Sequence, residues 1–265
     1  MNSIDRRPEI VICRDASALA VEAARRIVAT AQTSVAARNR FNLVLSGGST
    51  PERTYSLLAQ PERRSQIEWQ KTWLMFGDER CVPHDDLRSN YRLAAKSLFE
   101  PAHIASEQIL PVPSDLGSPA LCAAAYEATL RTFFHQPPST GPFGDDSSGG
   151  FPQFDMVLLG LGDDGHTASL FPGMPALREA NAWVTWSPPG VLPPPVDRVT
   201  LTFPAINAAR EVMFLVAGAG KAAVVREILE GSTEVNVYPS SGVHPKNGKL
   251  IWLLDEAAAA LLNKR

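Results

Sequence analysis

Short, almost wholly apolar runs alternate with longer stretches of helical spacing along most of this chain, and that alternation limits its fold more than any other feature. "EIVICR", "FNLVLS", "KTWLMFGDER", "FDMVLLGLG", "DRVTLTF", "EVMFLVAG" and "KLIWLLD" read as strands. Helical spacing runs from Ser17, the expected N-cap, to about Arg38, then through "PERTYSLLA", where Pro51 sits in the first turn. It returns in "SNYRLAAKSLF" after Ser89, in Ser118 to Phe134, in "KAAVVREILEG" and in "EAAAALL". Strands that alternate with helices pair in parallel through crossovers. The expected fold is therefore α/β: a three-layer α/β/α arrangement with a mostly parallel, doubly wound central sheet. A single domain is expected over residues 1–265. Residues 136–152 read as a flexible surface insertion, rich in Pro, Gly, Ser and Asp and nearly free of apolar side chains.

Open α/β sheets bind ligands outside the carboxyl ends of their strands. The segments at those ends are "SGGSTP", "GDER", "GLGDDGH" and "AGAGK". All carry glycine, and together they concentrate hydroxyls, acids, Arg, Lys and His. Loop geometry explains the glycines but not that chemistry, so the strand ends read as a site.

Each segment has a plain structural alternative. "SGGSTP" (Ser46 to Pro51) offers free N–H groups and a helix N-terminus to an anion, with Gly47, Gly48, Ser49 and Thr50 as candidates. A glycine turn with hydroxyl capping explains the same letters equally well. No Lys-Ser/Thr follows, so it is not a P-loop, and Pro51 breaks the nucleophile-elbow pattern around Ser49. Along "DER", neighbouring side chains point to opposite faces, so at most two of Asp78, Glu79 and Arg80 can face one pocket. Arg80 has the planar fork that suits a phosphate, although a surface ion pair is the simpler account of this segment alone. Asp163 and Asp164 beside the "GLG" would repel a pyrophosphate, which argues against a nucleotide cofactor. An aspartate ahead of His166 on a glycine turn can instead orient the imidazole as a base, and spacing alone leaves open which aspartate does so. Arg198 at a strand start and Lys221 at a helix start could join Arg80 around one anion.

Bulk composition narrows the partners. A formal net charge of −3, with 45% hydrophobic and 20% charged residues, describes an ordinary globular chain without a basic field for nucleic acid. No run is long enough for a membrane span, and "MNSIDRRPEI" lacks a signal-peptide pattern. Three cysteines, odd in number and widely spaced, match neither a disulfide framework nor a zinc motif. A cytoplasmic location is expected.

In order, "LSGGSTP", "GDERCVP" with "SNYRLA", "LLGLGDDGHTASLFPG", "DRVTLTFPAINAAREVMFLVAGAGK" and "IWLLDEAAAALL" resemble the sequence blocks of the 6-phosphogluconolactonase family, from about Phe41 to Leu262. The resemblance implies a hydrolase that opens 6-phospho-D-glucono-1,5-lactone without metal or organic cofactor. It implies His166 as general base and Asp164 as its support, with Arg80 also in the catalytic group. It further implies that Gly47, Gly48, Ser49, Thr50, Arg198 and Lys221 bind substrate, the cations sharing the phosphate and the developing oxyanion. The sugar phosphate is the expected partner, and a monomer or weak homodimer is expected. The stretch "NVYPSSGVHPKNGKLIW", with His244, follows the family pattern only loosely.

Two other readings compete with this resemblance. Amino-sugar phosphate isomerases and deaminases of related fold carry a glutamate five residues beyond the histidine and a tyrosine after the Asp-Glu pair. Here those positions are Phe171 and Arg80. A sugar-phosphate sensor would need a DNA-binding helix-turn-helix, and the residues before the first matching block already read as a strand and a helix of the sheet.

Overall fold

The computed structural model describes residues 7–135, 150–189 and 195–263. Most of the expected insertion, 136–149, lies outside the described residues. The strands are β1 (Glu9–Cys13), β2 (Phe41–Leu45), β3 (Thr72–Phe76), β4 (Asp78–Arg80), β5 (Met156–Leu159), β6 (Val184–Ser187), β7 (Arg198–Leu201), β8 (Glu211–Val216) and β9 (Lys249–Asp255). The helices are α1 (Ala16–Arg38), α2 (Ser49–Leu58), α3 (Pro61–Arg64), α4 (Asn90–Ala94), α5 (Glu100–Ala102), α6 (Pro119–His135), α7 (Phe203–Asn207) and α8 (Ala222–Glu230). No helix among the described residues is long and apolar enough to cross a membrane.

Six strands form one sheet in the order β1-β9-β8-β5-β2-β3, with every neighbouring pair parallel. The inner strands β2 and β5 are buried along their whole length, as a parallel sheet covered on both faces requires. The edge strand β1 is partly exposed. On α1 a stripe from Leu19 through Ala23, Ile27 and Ala31 to Val35 is buried at helical spacing. From β2 the chain steps one way to β3 and later returns on the other side to β5. The carboxyl ends of β2 and β5 therefore flank the point where strand order reverses.

The expected layered α/β sheet is present, with local differences. "KTWLMFGDER" is not one strand. The Gly77 N–H donates to the Leu45 carbonyl (2.9 Å) in the parallel sheet, and its carbonyl accepts from Leu201 N–H (2.8 Å) in the other. The chain thus leaves the main sheet at Gly77, and β4 joins a separate antiparallel sheet ordered β4-β7-β6. "DRVTLTF" belongs to this small sheet, and β6 ("VTWS") was not anticipated. Helix α1 begins earlier than Ser17, because the Asp15 carboxylate caps it by accepting from Ser17 N–H (2.9 Å) and Ala18 N–H (2.8 Å). "EAAAALL" forms turns, not a helix. So short a segment needs packing to hold a helix, and it buries only the small Ala258 and Ala259.

Two tyrosines anchor the strand ends that face the reversal point. Tyr55 on α2 is fully buried; its hydroxyl donates to the Ser46 carbonyl (2.8 Å) and accepts from Ser46 N–H (2.9 Å). Tyr126 on α6 makes the same pair of bonds to Phe76, at 3.1 and 2.8 Å. Burial pushes both phenols well above their usual range, so each stays a neutral donor. Tyr55→Phe would strand a buried N–H and carbonyl at a cost of about 1–3 kcal/mol. Thermal denaturation of that variant should show a Tm lowered by about 5 °C.

Candidate active site

The carboxyl ends of β2, β5 and β8 and the small antiparallel sheet enclose a cleft of about 330 Å³. After β2 it is lined by Ser46, Gly47 and Gly48, and after β5 by residues 160–164, His166 and Ala168. The small sheet and the turn beyond it add Asp78, Arg80, Arg198 and Asn90, and the segment after β8 adds Lys221. All four glycine-rich strand ends contribute, as the rule for α/β sheets requires.

His166 stands on a tight turn. Gly162 N–H donates to the His166 carbonyl (2.8 Å), and Gly165 N–H donates to the Gly162 carbonyl (3.1 Å). Gly165 adopts φ +76°, and a Cβ there would lie 2.6 Å from Tyr238 Cδ1, so the turn demands glycine at this position. From the other side, Ser240 clamps the Gly165 carbonyl with its backbone N–H (2.9 Å) and its hydroxyl (2.6 Å).

The imidazole Nδ1 lies 2.5 Å from Asp164 Oδ1, which also accepts from the His166 backbone N–H (3.1 Å). An ionised carboxylate only accepts, so Nδ1 carries the proton and the lone pair is on Nε2. Burial alone would raise the Asp164 carboxyl. The hydrogen bond and charge of His166, with backbone N–H groups, outweigh burial and hold it below its usual range. Of the two aspartates left open by spacing, Asp164 meets the imidazole. Asp163, 83% exposed, pairs instead with Lys221 Nζ at 2.5 Å.

Arg80 and Arg198 occupy directly opposed positions of β4 and β7. Both line the cleft, and neither has a carboxylate in ion-pair contact among the described residues. The Nε atoms of both are buried and without a hydrogen-bond partner there. Burial lowers the pKa of Arg198, with Asp78 opposing that effect and Arg80 adding to it. Two like charges facing each other across a ladder repel, and an anion between them relieves both the repulsion and the unpaired donors. Arg80 is also held by a hydrogen bond from its guanidinium to the Arg88 carbonyl.

Alternation along β4 sorts "DER" as expected, with Asp78 and Arg80 on the cleft and Glu79 turned away. Glu79 is buried, and its carboxylate accepts from Arg80 N–H (2.7 Å), Ser89 Oγ (2.9 Å), Asn90 N–H (2.8 Å) and Tyr91 N–H (2.7 Å). Burial pushes its carboxyl up against the pull of those donors. Asp78 accepts from Ser169 Oγ at 2.6 Å. Phe171 packs between the two functional clusters, its ring 4.6 Å from that of His166 and 5.4 Å from the Arg198 guanidinium carbon.

Of the residues singled out in the sequence, His166, Asp164, Arg80, Arg198, Lys221, Gly47 and Gly48 come together around this cleft. Ser49 and Thr50 are not among its lining residues; they start α2 behind Gly48, and Ser46 lies on the wall in their stead. Asp78, Asn90 and Ala168 also line it and were not in the expected set. Asp78 belongs to the "GDER" motif. Asn90 was hidden because "SNY" reads as a helix cap, and Ser89 does cap α4 by accepting from Arg92 N–H (3.2 Å). Outside the cleft, the His84 ring stacks on Tyr91, and the His244 backbone N–H donates to Asn207 Oδ1 (2.7 Å).

Residues 14–252 match the family described as glucosamine-6-phosphate isomerases/6-phosphogluconolactonase. A 6-phosphogluconolactonase of Nostoc sp. is 37% identical over 254 residues, which cover 96% of this chain and 98% of that protein. Among solved structures, a 6-phosphogluconolactonase from Trypanosoma cruzi superposes with a TM-score of 0.84 at 31% identity, covering 100% of both chains. A monomeric glucosamine-6-phosphate deaminase shares the fold, with a TM-score of 0.77 at 21% identity over 96% of this chain and 99% of that one. With sequence match, fold and near-complete coverage in agreement, the chain belongs to the glucosamine-6-phosphate isomerase/6-phosphogluconolactonase family.

Proposed function

We propose that this protein hydrolyses 6-phospho-D-glucono-1,5-lactone to 6-phospho-D-gluconate, the lactonase step of the oxidative pentose phosphate pathway, with His166 as the general base. The observation that carries the reading is the 2.5 Å Asp164–His166 pair in the same cleft as the opposed Arg80 and Arg198, whose Nε atoms have no hydrogen-bond partner among the described residues. The 6-phosphogluconolactonase relatives support the substrate.

In this mechanism the phosphate dianion sits on Arg80 and Arg198, where two guanidiniums match its charge and fork geometry. Binding energy from that remote group holds the lactone carbonyl near His166. Nε2 takes a proton from water as the hydroxide oxygen adds to C1, and Asp164 stabilises the imidazolium that forms. Lys221 and the backbone N–H groups of the glycine loops stabilise the tetrahedral oxyanion. The intermediate collapses with cleavage of the bond from C1 to the ring oxygen. That oxygen takes the proton from Nε2 and leaves as the C5 hydroxyl, and the new carboxyl group loses its own proton to solvent. A lactone is an activated ester, so one placed base with electrostatic help suffices and no covalent nucleophile is required.

The deaminase reading is less well supported. At Phe171, where those enzymes carry a glutamate, an aromatic ring packs against the imidazole.

The first test is hydrolysis of freshly prepared lactone, measured above its spontaneous background. His166→Ala should lower kcat by about 10²–10⁴-fold, the usual contribution of a placed base. No wild-type turnover above background would overturn the lactonase reading, and ammonia release from glucosamine 6-phosphate would then favour the deaminase. Arg198→Ala should raise KM, and the inhibition constant of 6-phosphogluconate, by about tenfold or more while kcat changes less. The Asp164 carboxyl is held below its usual range, so it stays ionised across the neutral and mildly acidic range and adds no protonation step of its own there. The kcat/KM profile should therefore fall on its acid side as a one-proton step, and the residual activity of His166→Ala should lack that limb.

A further inference from the structure

We infer that Asp163 is a built-in competitor for Lys221: it keeps that ammonium from gripping the carboxylate of the product and so limits inhibition by product. This rests on the lactonase reading, in which Lys221 meets the developing oxyanion. It gives a role to a cleft carboxylate that the mechanism above does not use.

Asp163 and Lys221 both line the cleft. One stands on the segment after β5 and the other on the segment after β8, and those two strands are paired neighbours. Their side chains meet at 2.5 Å. An exposed pair between mobile supports holds weakly. Here both supports are anchored. Asp163 follows Gly162, whose N–H and carbonyl are both bonded within the turn that carries His166. On the other side, Lys221 N–H donates to the Gly218 carbonyl (3.0 Å). Gly218 N–H donates in turn to both oxygens of Asp255 (3.0 Å each), a carboxylate buried at the end of β9. The pair therefore bridges two fixed turns, and Lys221 is the one partner of Asp163 among the described residues.

The ammonium stays within reach of a ligand, with its side chain 24% exposed on the cleft wall. It has three N–H donors, so one can remain on Asp163 while another meets the ligand. What changes along the reaction is the charge presented to it. The lactone carbonyl is neutral, and hydrolysis turns it into a carboxylate while the phosphate at the far end is unaltered. With Lys221 unpaired, that new carboxylate would gain a full ion pair on top of the phosphate contacts, and product would bind more tightly than substrate. Asp163 presents the same chemical group from within the protein. It already satisfies the ammonium, and its own charge repels the product carboxylate beside it. The phosphate, common to substrate and product, gains no such discrimination.

The experiment measures inhibition constants at low ionic strength for 6-phosphogluconate and for glucitol 6-phosphate, the same open chain with an alcohol in place of the carboxylate. It compares wild type, Asp163→Asn, Lys221→Ala and the double variant. The Asp163 side chain is 83% exposed, so its replacement leaves the packing intact. Asp163→Asn should tighten 6-phosphogluconate by about three- to fivefold, the range of an exposed ion pair, and leave glucitol 6-phosphate within about 1.5-fold. The difference should shrink with added salt, and it should vanish in the Lys221→Ala background. Equal tightening of both inhibitors would mark a general charge effect and overturn the assignment. So would an unchanged or weakened affinity for 6-phosphogluconate, or an effect that persists without Lys221, and in each case the lactonase reading stands. A wild type inactive on the lactone overturns both.

Discussion

The arrangement of the cleft depends on one buried carboxylate. Glu79 collects four hydrogen bonds, from the main chain of its own strand at Arg80 and from the first residues around α4 at Ser89, Asn90 and Tyr91. Burial disfavours its charge and the donors favour it, so the group is stable only with all of them in place. Because β4 and the start of α4 are tied through this one side chain, Arg80 and Asn90 reach the cleft from different elements in a fixed relation. The carboxylate itself faces away from the cleft, which separates the group that holds the wall from the groups that use it.

A second constraint is the exit of the chain at Gly77. Had β3 simply continued, "DER" would have lain along the main parallel sheet, and Arg80 would not face Arg198. Switching to an antiparallel partner sets the two arginines in register, an arrangement that costs repulsion when empty and favours an anion when filled. The buried Tyr55 and Tyr126 hold the adjoining strand ends, so the small sheet is mounted on a part of the main sheet whose main-chain groups are already satisfied. Phe171 then spans from the arginine side to His166. His166 and Arg198 are thus spaced by packing against a common ring, in the manner expected of a site on rigid elements.

The family includes proteins of different chemistry on one fold, and fold alone does not choose between them. The distinguishing features are local. An aromatic ring at Phe171 gives His166 an apolar neighbour, so Asp164 is the carboxylate in contact with the imidazole. Arg80 supplies a second cation opposite Arg198.

Much of this was legible in the sequence. Alternation of buried runs and amphipathic stretches is a direct consequence of covering a parallel sheet on both faces, so strand order in the chain and the location of the site at strand ends followed from periodicity. Adjacent-residue effects were legible too: the opposite facing of Glu79 and Arg80, and the glycine turn under His166. What could not be read were relations between segments remote in the chain. Nothing in "KTWLMFGDER" announces that its end deserts one sheet for another, since both strands use the same extended backbone and the choice is made by the Leu201 N–H donating to the Gly77 carbonyl. The selection of Asp164 over Asp163, and of Ser46 over Ser49 on the cleft wall, likewise depended on which side chains the folded chain brought opposite them. Asn90 is the clearest case. Its letters describe a helix start, and only the approach of Asp78, which accepts from its amide nitrogen, sets that amide on the cleft wall. Periodicity records the burial of each residue against water, whereas hydrogen-bond partners are set by three-dimensional proximity, and for this reason the sequence determined the layers and the tertiary structure decided the site.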